Sequence, residues 1–267
     1  MLIININLNE LIEGIGAATL KGKYGNTGGS KRSSIDNTLT FIVSKDIPSV
    51  LISCSSDTMA SMVRVSITPV NENKIFKCDA EVLVKYLKTF KGQDVENVDI
   101  CIGEGFLNLV CGLKRAKIAQ RISETNLDIV EKLMSCNISD TNASFSKVTF
   151  NTKLTLNANV LSTAIKNAGI VGSAIYKLDY NNEETTITQT HTCVISSKDS
   201  TNSQEYDERL LLTNAEGESA TVEFTAPLEK FCKKDSEMFI WFNDDSPILI
   251  TDILGSRRLI IAPYVRG

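Results

Sequence analysis

His191 is the only histidine in the chain, and it stands in a Thr-rich alternating stretch with no acid or thiol at catalytic spacing. Imidazole catalysis and zinc ligation both require partner groups around the ring, so His191 is expected to be an exposed strand residue, with no triad and no metal site. Asp244 and Asp245 place two carboxylates side by side, but Ser246 and Pro247 follow them, and Asp-Asp-Ser-Pro is turn chemistry. LKGKYGNTGGSKRSS, beginning at Leu20, is a Gly/Ser-rich loop carrying Lys21, Lys23, Lys31 and Arg32. Its glycine spacing is not that of a phosphate-binding loop, and no helix start follows it. Seven cysteines, with no CxxC pair, fall mostly inside predicted elements (Cys78, Cys101, Cys111, Cys193, Cys232), as small buried hydrophobes of a reducing compartment would. No dinucleotide fingerprint or nucleophile elbow is present. These residues point to a protein that binds and organises rather than an enzyme, with no cofactor.

The residue type that does recur in a chemically useful pattern is lysine. In CDAEVLVKYLKTFKG, Val82, Leu83, Tyr86, Leu87 and Phe90 follow three- and four-residue steps, the apolar stripe of an amphipathic helix. Asp79 is the expected N-cap and Gly92 the stop. Lys85, Lys88 and Lys91 fall outside the stripe. After Phe224, APLEKFCKKD repeats the arrangement in a shorter helix, with Leu228, Phe231 and Cys232 inward and Lys230, Lys233 and Lys234 outside. The net charge is −4, yet acids gather in predicted loops (Glu183, Glu184, Glu205, Asp207, Glu208, Asp244, Asp245) while bases gather on these two helices. Such a distribution suits contact with a polyanion along one surface.

The elements that position these helices also recur. Each lysine helix precedes three β-type runs: Val98–Ile102, Phe106–Cys111 and Lys114–Gln120 in the first case, Met238–Phe242, Ile248–Ile253 and Arg257–Ala262 in the second. Upstream, INLNELIEGIGAA at Ile6–Ala18 lies over LNANVLSTAIKNA at Leu156–Ala168, with Asn7/Asn157, Asn9/Asn159, Leu11/Leu161 and Ile15/Ile165 each 150 residues apart. A period this long means two copies of one domain rather than a solenoid. A chain of 267 residues accommodates two such domains. The expected division is 1–122, a connector 123–146, and 147–267. Strands are expected at residues 2–6, Asn37–Val43, Val50–Ser55, Met62–Pro69, Ser146–Leu156, Ala174–Tyr180, Thr185–Thr192, Cys193–Ser197, Arg209–Thr213 and Ser219–Phe224, with a polar loop over Lys198–Asp207. The class is α+β: about four helices, two in each domain, among sixteen to eighteen antiparallel strands. The connector is polar except for Ile129, Val130, Leu133 and Met134, enough for one helical turn. With 42% hydrophobic and 22% charged residues, no long apolar run and no basic N-terminal region, neither a membrane span nor a secretory leader is expected.

Three segments give this pattern a family likeness. VLISCSSDTMASMVRVSI (Val50–Ile67), FKCDAEVLVKYLKTFKG (Phe76–Gly92) and SPILITDILGSRRLIIAPYVRG (Ser246–Gly267) resemble the DNA sliding clamps, of both the proliferating cell nuclear antigen type and the bacterial DNA polymerase III β-subunit type. The last segment is the most specific, with Pro247 before its first strand and the pair Ala262-Pro263 at its end. The first helix departs from the family, carrying Glu10 and Glu13 and no base before Lys21.

The resemblance implies a DNA-clamp fold and a head-to-tail ring of six domains, hence a homotrimer of a two-domain chain. It implies sequence-independent binding of double-stranded DNA, with Lys85, Lys88, Lys91, Lys230, Lys233 and Lys234 facing it and Lys21, Lys23 and Lys166 contributing less. It further implies a DNA polymerase, a clamp loader and other replication enzymes as partners, docking through short peptides. The pocket for these is expected between connector and C-terminal hairpin: Met59, Ile129, Val130, Leu133, Met134, Pro247, Leu249, Ile260, Ala262 and Pro263. The implied setting is the replisome of a cytoplasmic nucleoid or of a virus inside its host. Rival readings are a checkpoint-type clamp subunit of a hetero-trimer, a β-rich capsid or tail protein, and a small-molecule enzyme.

Overall fold

A computed structural model describes residues 2–20, 38–56, 58–92, 94–121, 127–173, 175–183, 190–199, 203–225 and 228–264. The first half runs β1 (Leu2–Asn7), α1 (Leu8–Ala18), β2 (Thr38–Ser44), β3 (Ile47–Ser55), β4 (Met59–Ser66), β5 (Lys74–Asp79), α2 (Ala80–Phe90), β6 (Asn97–Ile102), β7 (Phe106–Cys111) and β8 (Lys114–Ala119). A connector follows, with α3 (Leu127–Met134), β9 (Asn137–Ile138), β10 (Ala143–Phe145) and β11 (Val148–Phe150). The second half holds β12 (Thr152–Asn157), α4 (Ala158–Ala168), a 3₁₀ turn at Gly169–Val171, β13 (Tyr176–Tyr180), β14 (Thr192–Asp199), β15 (Gln204–Leu211), β16 (Asn214–Gly217) and β17 (Ala220–Phe224). It ends with a 3₁₀ turn at Leu228–Lys230, then β18 (Glu237–Phe242), β19 (Ile248–Asp252) and β20 (Arg257–Ile261).

The two main helices start for the same local reason. Asn7 Oδ1 accepts from the Asn9 and Glu10 amides and Asn157 Oδ1 from the Asn159 amide, so each satisfies orphan donors of a first turn. Helix α2 is capped by Asp79, whose carboxylate accepts from the Val82 amide. Its buried stripe is narrower than the sequence suggested: Ala80, Leu83, Leu87 and Phe90 are buried, while Val82 and Tyr86 stand 38% and 41% exposed. Helix α1 lies close on its sheet because Gly14 has no side chain; a Cβ there would come within 2.7 Å of Val65 Cγ2. Ser61 Oγ then donates to Ala18 O at 2.5 Å, tying the end of α1 to β4.

All strand pairing described is antiparallel. One four-stranded sheet has the order β1-β6-β7-β8, another β15-β14-β13-β17, and a nine-stranded sheet runs β16-β12-β18-β19-β20-β4-β3-β2-β5. The halves meet inside that long sheet, where β20 pairs with β4 from Arg257↔Val63 to Ile261↔Met59. Connectivity repeats as well: β12-β18-β19-β20 is the counterpart of β1-β6-β7-β8, and β15-β14-β13-β17 of β4-β3-β2-β5. Strand alternation splits the apolar residues of the nine-stranded sheet between two cores. Met59, Val63, Leu259, Ile261, Ile248 and Ile250 face the helices, and Ala60, Met62, Ile260, Leu249 and Trp241 face the connector.

The structure corrects several expectations. Among the described residues the expected second lysine-bearing helix is not an α-helix: Leu228, Phe231 and Cys232 are buried, but in and just after a single 3₁₀ turn. Asp235 then takes a left-handed conformation (φ 57°) before β18. Strand β5, which the sequence reading did not mark, leads directly into α2. The polar stretch Lys198–Asp207 is largely strand, with β14 and β15 paired through Asp199↔Gln204. Helix α3 is two turns long. His191 is half-buried just before β14, and its Nδ1 is buried without a hydrogen-bond partner. The expected strand Thr185–Thr192 lies mostly outside the described residues. The Asp244-Asp245 pair is a turn, with Asp244 Oδ1 accepting from the Thr221 amide at 2.6 Å and Asp245 at φ 48°. At the opposite edge Gly217, φ +99°, is required where β16 meets β12: a Cβ would lie 1.7 Å from Asn151 O.

Candidate nucleic-acid and partner-docking surfaces

The helices pack on one face of the nine-stranded sheet and the connector on the other. Helix α1 neighbours α2, and α4 neighbours the 3₁₀ turn Leu228–Lys230. The two groups meet at Arg257, whose buried guanidinium donates to Phe231 O at 2.7 Å and to Glu13 of α1 at 2.5 Å. Glu13 is thereby committed to the joint between the halves. The acid that broke the family pattern in the sequence acts as a bracket on a buried arginine, which would be costly to leave unpaired.

On the solvent side of this helical layer, Lys85, Lys88 and Lys91 are exposed along α2, Lys166 is exposed on α4, and Lys230, Lys233 and Lys234 are exposed around the 3₁₀ turn. Lys21 and Lys23 lie outside the described residues. Val82 and Tyr86 add an apolar flank beside Lys85. The layer is therefore cationic at α2 and at the 3₁₀ turn, and carries Glu10 and Glu13 on α1.

The connector closes on the far face of the sheet. Val130 and Leu133 are buried against Leu51, Ala60 and Met62 from the first half and Trp241, Leu249 and Ile260 from the second. Arg258 pins the end of α3: its Nη1 donates to Leu133 O at 3.2 Å, Met134 O at 2.9 Å and Cys136 O at 3.5 Å. Burial lowers the pKa of this guanidinium. The ten expected pocket residues do not form one concavity. Met59 points into the helix-side core. Val130, Leu133, Leu249 and Ile260 are sealed inside the junction. Ile129 is half-buried, and Met134 is 42% exposed at the Arg258 end of β20. Pro247, Ala262 and Pro263 remain partly exposed at the other end, four residues along the strand, roughly 13 Å away. They are neighbours because Ile248 pairs with Ile261. A shallow cleft of about 350 Å³ lies elsewhere, lined by Asp179, Tyr180, Asn181, Glu183, Ser219, Ala220, Thr221 and Asp244.

Sequence reasoning gave Arg257, Arg258 and Glu13 no structural role: KRAKIA at Lys114–Ala119 and RRLIIA at Arg257–Ala262 mark the same strand in the two halves, but not the acceptors of its arginines.

The repeated connectivity and the shared long sheet were compared with solved structures. The proliferating cell nuclear antigen of Thermococcus kodakaraensis matches with a TM-score of 0.69 at 16% identity, over 99% of this chain and 100% of that one. The fold is that of a sliding clamp. The A. fulgidus proliferating cell nuclear antigen, solved with the C-terminal region of FEN-1 bound, matches with a TM-score of 0.68 at 14% identity over 100% of both chains. The DNA polymerase sliding clamp of Pseudomonas aeruginosa matches with a TM-score of 0.72 at 10% identity, over 99% of this chain and 66% of that one. No protein-family profile matches the chain, and no curated protein does. Among the described residues, no helix is long and apolar enough to cross a membrane, and no group of three His, Cys, Asp or Glu side chains is placed to hold a metal ion.

Proposed function

We propose that this chain is a DNA sliding clamp, a non-enzymatic processivity factor that encircles duplex DNA as a homotrimeric ring. The observation that carries the reading is the internal joint. The two halves, taken as domains 1–122 and 147–267 with 123–146 between them, are joined by pairing the last strand of one four-stranded unit with the edge strand of another. The counterparts of those two strands, β8 and β15, stand at the ends of their sheets. A chain that joins its own halves in this way presents the same two edges to further copies. Repeated head-to-tail contacts close into a ring when the rotation allows.

In such a ring the helical layer faces the axis. Lys85, Lys88, Lys91, Lys230, Lys233 and Lys234, with Lys166, Lys21 and Lys23, then meet phosphates without reading bases, and a bound duplex is free to slide. The connector face is outside, where a polymerase, a clamp loader and other replication enzymes dock short peptides. The surface left for them is Pro247, Ala262 and Pro263 with Ile129 at its margin, and the setting is a replisome, cellular or viral.

The test is reversal of Lys85 and Lys88 to Glu. Both side chains are exposed, so stability should change by less than about 0.5 kcal/mol per site. Clamp-dependent extension by the cognate polymerase on primed circular DNA should fall, and its salt sensitivity should weaken. Unchanged processivity in the folded double variant would make this surface an ordinary solvated helix face.

A further inference from the structure

Arg258 uses one edge of its guanidinium and leaves the other unused. Nη1 donates to the carbonyls at the end of α3, while Nε is buried without a hydrogen-bond partner. Nη2 lies 4.0 Å from where a Cβ on Gly255 would stand, at the turn joining β19 to β20. It has no hydrogen-bond partner among the described residues. Nε and Nη2 share the edge of the fork that grips a carboxylate through two parallel bonds. One nitrogen therefore holds the connector, and the bidentate edge is idle.

Arg64 stands beside it. Its amide donates to Ser256 O of the same turn at 2.8 Å, and Met62, two residues earlier on β4, pairs with Arg258. Met62 and Ile260 face the connector, so strand alternation puts Arg64 and Arg258 on that face too. The Arg64 guanidinium is half-buried and makes no hydrogen bond or ion pair among the described residues. Burial first, and then the Arg64 charge, lower the pKa of Arg258, so the two cations sense each other. Asp252 offsets this in part, but its carboxylate is engaged by Ser256 Oγ and the Arg257 amide. Adjacent, partly desolvated cations are costly until an anion joins them. The surroundings are apolar. Met134, 42% exposed, supplies a carbonyl to Arg258, and the turn beside Nη2 carries Ile253 and Leu254, 54% and 80% exposed.

We propose that Arg64 and the Nε–Nη2 edge of Arg258 receive the carboxylate of an acidic partner peptide, whose adjoining apolar side chain rests on Met134 and Leu254. The site lies at the other end of β20 from Ala262 and Pro263, roughly 13 Å along the strand. It is a second docking surface and does not depend on the ring reading. A peptide carboxylate suits it better than a nucleic-acid phosphate, because the lysine layer lies on the opposite face of the sheet and the flanks here are apolar. Shielding from water strengthens the charge-assisted bonds that such an acceptor makes.

The experiment is calorimetric titration of the whole chain with two end-capped peptides, one with a single glutamate between two leucines and one with glutamine in its place. The glutamate peptide should bind saturably, and the glutamine peptide at least roughly tenfold more weakly. Arg64→Gln should weaken the glutamate peptide by a similar factor and leave thermal unfolding unchanged or slightly raised, because that guanidinium has no partner to lose. Leu254→Ser, at an exposed turn, should weaken both peptides. Absence of saturable binding, equal binding of the two peptides, or undiminished binding in the folded Arg64→Gln chain overturns the proposal. Displacement of the glutamate peptide by equimolar inorganic phosphate also overturns it, since the arginines would then be a general anion site.

Discussion

Arg257 and Arg258 are adjacent on β20, and their guanidinium groups leave opposite faces of the sheet. One bonds Phe231 and Glu13 under the helices, and the other bonds the last carbonyls of α3. The same strand thereby locks the helical layer to one side and the connector to the other. At this scale the sequence disclosed the exposed lysines but not the arginines, because a buried arginine is readable only once its acceptors are known, and these lie far away in the chain. The cysteines were readable as small hydrophobes, and burial has a titration consequence. It pushes the Cys78 and Cys193 thiols up to about 12 and Cys136 to about 11, from an ordinary 9.0. Thiols that resist ionising in the folded chain contribute stability fully present below pH 9, where both states are protonated. That contribution is lost as pH rises from 9 toward 12, because the unfolded chain ionises first. Urea unfolding midpoints should therefore decline across that window, and a Cys78→Ala/Cys193→Ala variant should decline less steeply. An identical decline in the two proteins would deny these thiols any part in it.

Elements fared according to what surrounds them. Helices α1 and α4 were legible because the same asparagines and apolar residues recur 150 positions apart, and the structure shows Asn7 and Asn157 as their caps. Strand β15 was not, since an edge strand with one wet face reads as a polar loop when its residues are Glu, Asp and Arg. The expected fourth α-helix failed because Leu228, Phe231 and Cys232 satisfy a helical spacing that a single 3₁₀ turn also satisfies. The connector was seen as an apolar cluster, but the sequence does not say which of its side chains are sealed. Leu133 is fully buried, so Leu133→Ala should cost about 2–5 kcal/mol of stability and is a poor probe of docking. Pro263→Ala is a better one. It should leave thermal unfolding nearly unchanged while weakening the calorimetric binding of a hydrophobic-anchored peptide from the cognate polymerase. Undiminished affinity would move the docking surface away from the end of β20.

At the scale of the whole molecule, the repeat was legible from the offset of 150 residues between Asn7 and Asn157. The consequence of the repeat was not, because strand partners distant in sequence leave no local signature. Only the structure shows that β20 closes onto β4, leaving β8 and β15 as the ends of two sheets. The proposed function follows from those two ends more than from any side chain. The most direct measurement is the solution mass of the chain alone by light scattering through a dilution series. The account predicts a species of about 88 kDa, three chains of 29.3 kDa, persisting at micromolar concentration. A single 29.3 kDa species at every concentration would contradict it.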